Sequence, residues 1–177
     1  MTPGNEDFRF CPRCGGGLEL RALKNGEPSR LVCVACGYVF YLDPKVAACT
    51  ICMLDGGIVL LRRSIEPAVG KWVFPGGFVD RGEAVEAAAV RETKEEVNLK
   101  VSLTGILDVY SFPSSPVVVV VYAAEVVGGE LFACDECDEV ATFPPEKLPW
   151  ADLAFESTRA ALRDYVRRFF PRVRVPR

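Results

Sequence analysis

Histidine is absent from all 177 residues. No imidazole can therefore serve as base, proton shuttle or metal ligand, and acid–base chemistry falls to carboxylates, lysine, tyrosine or cysteine. Long apolar runs are missing too. The longest, Val117 to Ala124, ends at Glu125, well short of the ~20 residues a membrane span needs. The segment from Met1 to Phe10 is polar and charged and lacks the apolar stretch of a secretory leader, so a cytoplasmic protein is expected. Charge of one sign is also scarce. With 21 basic and 24 acidic side chains the formal net charge is −3, and that balance points to neither nucleic acid nor a membrane surface as a partner. Half of the residues are hydrophobic, enough for a packed core, and wholesale disorder is excluded.

Cysteine is plentiful, and its placement is regular. All eight cysteines fall into C-x-x-C pairs: Cys11/Cys14, Cys33/Cys36, Cys49/Cys52 and Cys134/Cys137. The first two pairs stand 18 residues apart, each followed by a glycine. Four thiolates at this spacing match a closed, structural Zn²⁺ site. The block around them is too small to fold on core burial alone, which strengthens the metal reading over free thiols or two disulfides. Cys49 and Cys52 lie in an expected strand, where positions i and i+3 point to opposite faces, so they read as small buried hydrophobes. Cys134/Cys137 sits in an acidic stretch, where metal binding, a labile disulfide and coincidence all stay open.

Alternating and apolar patterns predict strands over Leu18–Leu23, Arg30–Val32, Val46–Leu54, Ile58–Arg62, Lys71–Phe74, Val101–Tyr110 and Pro116–Val126, the last of them central and buried. A short strand is expected to begin or end at Thr142–Phe143. Asn25-Gly26 and Asp55-Gly56-Gly57 read as hairpin turns. Helices are expected from about Ala84 to Val97 and from Ser157 to Phe169, the latter stopped before Pro171. The later helix gathers Arg159, Arg163 and Arg167 opposite an apolar stripe, for which packing on the sheet is the default.

The first helix carries the informative chemistry. Glu92, Glu95 and Glu96 fall within an arc of about 100° on it. Three carboxylates on one face repel each other unless a cation intervenes. Hard divalent ions such as Mg²⁺ favour a few carboxylates plus substrate phosphates. Arg91, one turn before Glu95, can orient that carboxylate. Taken alone, Arg-Glu-x-x-Glu-Glu is more often a solvated acidic face. Gly77 and Glu83, at fixed offsets upstream, change that reading.

In register, Gly77, Glu83, Arg91, Glu92, Glu95, Glu96 and Leu99 resemble the signature of the Nudix hydrolases, and Gly70-Lys-Trp72-Val-Phe-Pro75-Gly-Gly77 looks like that family's lead-in. Two positions depart from the pattern. Thr93 stands where an aliphatic residue is usual, and Asn98 replaces the helix-ending glycine; asparagine tolerates the same left-handed conformation. The resemblance implies an α+β fold: an α/β/α sandwich with a mixed sheet over residues 41–177, preceded by a small zinc-ribbon β module over 8–40. It further implies that Glu92, Glu95 and Glu96 hold Mg²⁺ or Mn²⁺, aided by the Gly77 carbonyl, while Glu83 and Arg91 support them. Water would attack a phosphorus of a phosphoanhydride. A further acid from a later loop often joins such sites. Glu136 and Glu139 are the candidates, with Glu139 the better placed as base or ligand, and a polar surface turn is an equal alternative for this loop.

Substrate recognition is less legible. The short ribbon, Asp43-Pro44-Lys45, Trp72 and Leu153-Ala-Phe155 look most like the group that includes ADP-ribose and FAD pyrophosphatases. Tyr110-Ser-Phe-Pro113 does not match the motif of NADH pyrophosphatases. Arg62, Tyr110, Phe112 and Glu136 are the candidate substrate contacts; for the aromatic pair the ordinary role is core packing. Arg63, Lys71 and Arg81, with Phe132, Phe143 and Phe155, are weaker candidates. The expected partner is a nucleotide conjugate, with a homodimer open. Two alternatives remain: a nucleoside triphosphate pyrophosphatase, and a regulator whose ribbon, through Arg13, Arg21, Lys24 and Arg30, binds nucleic acid while the larger domain senses a ligand.

Overall fold

The computed structural model describes residues 7–113, 115–134 and 137–176. The chain divides into two compact units, Met1–Pro44 and Lys45–Arg177.

In the first unit, β1 (Leu18–Arg21), β2 (Arg30–Cys33) and β3 (Val39–Phe40) form an antiparallel meander. β1 is shorter than expected, so Asn25-Gly26 sits within a longer connection, with Gly26 at φ 86°. The two cysteine knuckles turn alike. Gly15 and Gly37 adopt φ values of 74° and 71° and donate their N–H groups to the Cys11 and Cys33 carbonyls. Only glycine enters that region cheaply.

The second unit is a seven-stranded mixed sheet between two helices. Its strands are β4 (Lys45–Leu54), β5 (Gly57–Arg63), β6 (Trp72–Val73), β7 (Gly76–Phe78), β8 (Leu99–Tyr110), β9 (Val117–Gly129) and β10 (Cys137–Phe143). The sheet order is β10-β5-β4-β9-β8; β6 adds to β5 and β7 to β4. β4 and β9 run parallel, while the other pairings are antiparallel. The β4–β5 hairpin turns through Asp55 and Gly56, both at positive φ, the geometry a two-residue primed turn requires. β9 lies inside the sheet, buried at Val121–Ala124 and half-buried before that.

Alternation along β4 assigns the layers. Ala48, Thr50 and Cys52 face helix α1 (Val85–Val97). Cys49 and Ile51 face helix α2 (Glu156–Phe169), packed with Ala161, Leu162, Tyr165 and Val166. Cys49 and Cys52 therefore occupy separate apolar clusters, as small buried side chains on opposite faces. No helix of the described residues is long and apolar enough to cross a membrane.

Two local features differ from the pattern-based expectation. Gly76-Gly77, where no strand was expected, opens the short strand β7 against Ala47–Cys49. A Cβ on Gly76 would lie 2.4 Å from the Cys49 sulfur, so only a bare backbone can approach there. The acidic stretch is also less of a loop than expected. β10 starts at Cys137 and pairs with β5 past an irregularity between Cys137 and Glu139.

Candidate active site

Helix α1 presents its acidic face beside β7, and the residues between them converge on Arg91. Its Nε and Nη2 donate to the two Glu83 oxygens at 2.8 and 2.9 Å. Its Nη1 donates to Glu92 Oε1 at 2.8 Å and to Glu95 Oε2 at 2.9 Å. Nη2 also donates to the Phe78 carbonyl. One planar guanidinium thus gathers three carboxylates in the fork geometry that arginine favours. The Arg91 contact, helped by the Asp80 N–H, holds the Glu83 carboxyl well below its ordinary range, at about 2. The same pairing raises Arg91 above its ordinary value. Glu92 and Glu83 are largely buried, with side chains 15% and 17% exposed, whereas Glu95 is 57% exposed.

Glycine at 76 and 77 fixes the opposite wall. The Gly76 N–H donates to Glu96 Oε2 at 2.7 Å. A Cβ on Gly77 would fall 2.5 Å from the Glu92 carboxyl carbon. The backbone therefore sits directly against the carboxylates of Glu92 and Glu96. Glu92, Glu95 and Glu96 each offer carboxylate oxygens, the donor type a hard divalent cation such as Mg²⁺ or Mn²⁺ takes.

The helix ends as the Asn98 substitution requires: Asn98 is left-handed, at φ 56°, and donates its N–H to the Lys94 carbonyl. Thr93, the other departure from the signature, is completely buried. Its hydroxyl meets Thr50 on β4 at 2.7 Å and donates to the Ala89 carbonyl. The polar residue is matched by a polar partner across the layer.

The remaining sequence candidates fall elsewhere. Arg62 and Glu139 are register neighbours on β5 and β10 and form an ion pair at 3.2 Å. The Arg62 guanidinium also stacks 5.0 Å from the Trp72 ring centroid, and its Nε is buried without a hydrogen-bond partner among the described residues. Tyr110 is buried on the α2 face, where its hydroxyl donates to Asp164, and Phe112 packs against the same cluster. Burial, with Asp164 beside it, raises the Tyr110 phenol above its ordinary value. Glu136 lies outside the described residues. Arg63 braces its own loop by bonding to the Pro67 carbonyl, and stacks on Phe155. Lys71 pairs with Asp152. Sequence reasoning missed Phe78, which is 49% exposed just past Gly77 with the Lys45 ammonium 4.6 Å from its ring centroid. Position alone, next to the signature glycine, was its only signal.

In the first unit the sulfurs of Cys11, Cys14, Cys33 and Cys36 lie within 4.8 Å of one another. Cys14 and Cys33 approach to 3.5 Å, Cys11 and Cys36 to 3.8 Å. That matches the ~3.8 Å edge of a tetrahedron built on Zn–S bonds of about 2.3 Å. The Cys36 N–H points at the Cys33 sulfur and lowers that thiol, while hydrogen bonding to the neighbouring thiols raises Cys14, so the two share one proton unevenly.

A seven-stranded mixed sheet between two helices, with a glycine-walled acidic face on one of them, is the arrangement the signature resemblance implied for a hydrolase. Family comparison gives the member. Residues 43–168 match the NUDIX domain model and residues 9–42 the zinc-ribbon model described as Nudix N-terminal. The chain belongs to the Nudix hydrolase family. It is 40% identical over 134 residues to an ADP-ribose pyrophosphatase of Methanocaldococcus jannaschii, covering 73% of this chain and 78% of that one. It is 31% identical over 143 residues to the NAD-capped RNA hydrolase NudC of Stutzerimonas stutzeri, covering 80% of this chain but only half of that enzyme. Among solved structures, a NUDIX hydrolase from Nitrosomonas europaea superposes with a TM-score of 0.84 at 32% identity, covering 92% of this chain and 94% of that one.

Proposed function

We propose that this enzyme hydrolyses a phosphoanhydride bond in a nucleoside diphosphate linked to a second moiety, of the ADP-ribose or dinucleotide kind, with Mg²⁺ or Mn²⁺ as its catalytic cation. The observation that carries this reading is the Arg91-centred carboxylate cluster pressed against the bare backbone of Gly76 and Gly77. When bound, the cation neutralises phosphate charge and activates water. Glu92, Glu95, Glu96 and the Gly77 carbonyl would hold it. Arg91 keeps the carboxylates apart yet aligned, and Glu83 anchors Arg91. The names of the Methanocaldococcus and Stutzerimonas relatives support a diphosphate joined to a nucleoside.

Beside the cluster, Phe78 offers an exposed ring and Lys45 a cation, a pairing that suits a base and a phosphate. Arg62, held by Trp72 and Glu139, is the second cation available to the substrate. The paired Glu139 remains the candidate for the base. Residues 8–40 act as an accessory module held by a structural zinc ion, and residues 41–177 carry the reaction.

Glu96→Gln tests the site. It keeps the shape of the side chain and removes its charge. We expect the variant to fold normally and to lose nearly all Mg²⁺-supported hydrolysis across a panel of ADP-ribose, NADH, FAD and nucleoside triphosphates. Wild-type rates from the purified variant would overturn the assignment, and a preference for triphosphates would overturn the substrate class.

A further inference from the structure

The C-terminal end of α1 is held by sulfur. The Glu96 carbonyl accepts the Cys134 N–H at 3.2 Å and the Cys137 thiol at 3.2 Å. Terminal helical carbonyls ordinarily turn to water or to capping groups; here both donors come from one C-x-x-C pair. Cys137 itself is 7% exposed, and its N–H donates to the Cys134 carbonyl at 3.1 Å. The Cys137 sulfur also lies 3.5 Å from that carbonyl, so the two residues are in direct contact, the proximity a disulfide needs. Cys134 is only partly covered and so is open to reagents. The same Glu96 whose carbonyl the pair holds places its carboxylate on the Gly76 N–H.

We propose that Cys134 and Cys137 form a reversible oxidation site whose disulfide loosens the end of α1 and lowers activity through Glu96; the activity half of this statement rests on the function proposed above. The oxidant is a low-molecular-weight disulfide such as glutathione disulfide. The Cys134 thiolate attacks its S–S bond and expels one small thiolate. The Cys137 sulfur then attacks the mixed disulfide and expels the second. The protein sulfurs give up two electrons, and their two protons end on the released thiols. The product has no S–H to offer the Glu96 carbonyl. Cys134 and Cys137 are positioning residues, since they reach the site only through the helix backbone.

The test uses the full zinc-loaded chain. Trypsin releases Val101–Lys147, which contains Cys134 and Cys137 and no other cysteine. After exposure to glutathione disulfide, that peptide is expected to be lighter by two hydrogens. Hydrogen exchange at the amides of residues 96–98 should quicken at least threefold, and Mg²⁺-supported turnover should fall at least threefold. Dithiothreitol should reverse all three. Cys137→Ser, which keeps a donor for the carbonyl, and Cys134→Ser are both expected to retain basal turnover and to resist the oxidant. A peptide that stays reduced while the ribbon cysteines oxidise overturns the proposal, as does a disulfide that changes neither exchange nor turnover. If no nucleotide is hydrolysed even by reduced protein, the proposed function fails, and the mass and exchange readouts still decide the oxidation site.

Discussion

Replacing Thr93 with valine keeps the shape of the side chain and deletes one hydroxyl from a fully buried pair. The hydrogen bonds fix what that deletion costs. The Thr93 proton goes to the Ala89 carbonyl, so in the 2.7 Å contact Thr50 donates and Thr93 accepts. In Thr93→Val the buried Thr50 hydroxyl loses its acceptor, and an orphaned buried donor costs about 1–3 kcal/mol. In Thr50→Val the Thr93 hydroxyl still reaches Ala89, so the cost is smaller. Removing both hydroxyls leaves two methyl-bearing surfaces in contact, a change expected to be nearly neutral. The order of stability is therefore wild type and double variant together, then Thr50→Val, then Thr93→Val. Because the double variant is near neutral, the coupling between the sites equals the sum of the two single losses and so exceeds the Thr93→Val cost of about 1–3 kcal/mol. For a unit of this size Thr93→Val lowers the melting temperature by roughly 3–10 °C. Differential scanning calorimetry of the four proteins, zinc-loaded and at one pH, measures the cycle. A Thr93→Val protein as stable as wild type, or a Thr50→Val protein less stable than Thr93→Val, would refute this account of the buried pair.

Gly77→Ala places a methyl group on the Glu92 carboxylate, so Mn²⁺ affinity measured by calorimetry should fall at least tenfold while circular dichroism stays native. Because Glu83 is depressed to about 2 from an ordinary 4.5, its stabilising contribution is complete above pH 4.5 and is lost as the pH falls towards 2. Glu83→Gln should accordingly flatten the acid limb of an unfolding titration, and an unchanged limb would argue against the Arg91 pairing. Chelation of zinc should unfold the first unit, because the binding free energy of such a site is folding free energy. Tryptophan fluorescence, which reports Trp72 and Trp150 of the second unit, should change little in the same experiment.

Much of the carboxylate face was legible because helical spacing alone puts Glu92, Glu95 and Glu96 together, and Gly77 and Glu83 sit at chain offsets that no solvated helix requires. The ribbon was legible for a similar reason, since its four clustered cysteines lie in two local knuckles. Cys49 and Cys52 were assigned to opposite faces by the two-residue period of a strand. What escaped was non-local. β7 consists of two glycines and a phenylalanine, with no strand pattern of its own, and it exists because β4 offers an edge and Cys49 leaves no room for a side chain. β10 begins in a Cys-Asp-Glu stretch that reads as a turn until β5 pairs with it. Arg62, Trp72 and Glu139 come from three strands, so their cluster has no signature in the chain. The aromatic residues show the same limit: Tyr110 looked available for a ligand and is buried with Asp164, whereas Phe78 drew no notice and stands exposed.

The parallel pairing of β4 with β9 sets the order in which this enzyme can come into being. Residues 45–53 must wait for residues 117–125, and the whole acidic helix is strung on the chain between them. As the polypeptide leaves the ribosome, the zinc knuckles can close early, whereas the sheet behind α1 lacks its inner strand until β9 has emerged. A nascent chain halted at about residue 110 would carry every glutamate of the signature and still have no finished wall behind the helix that bears them.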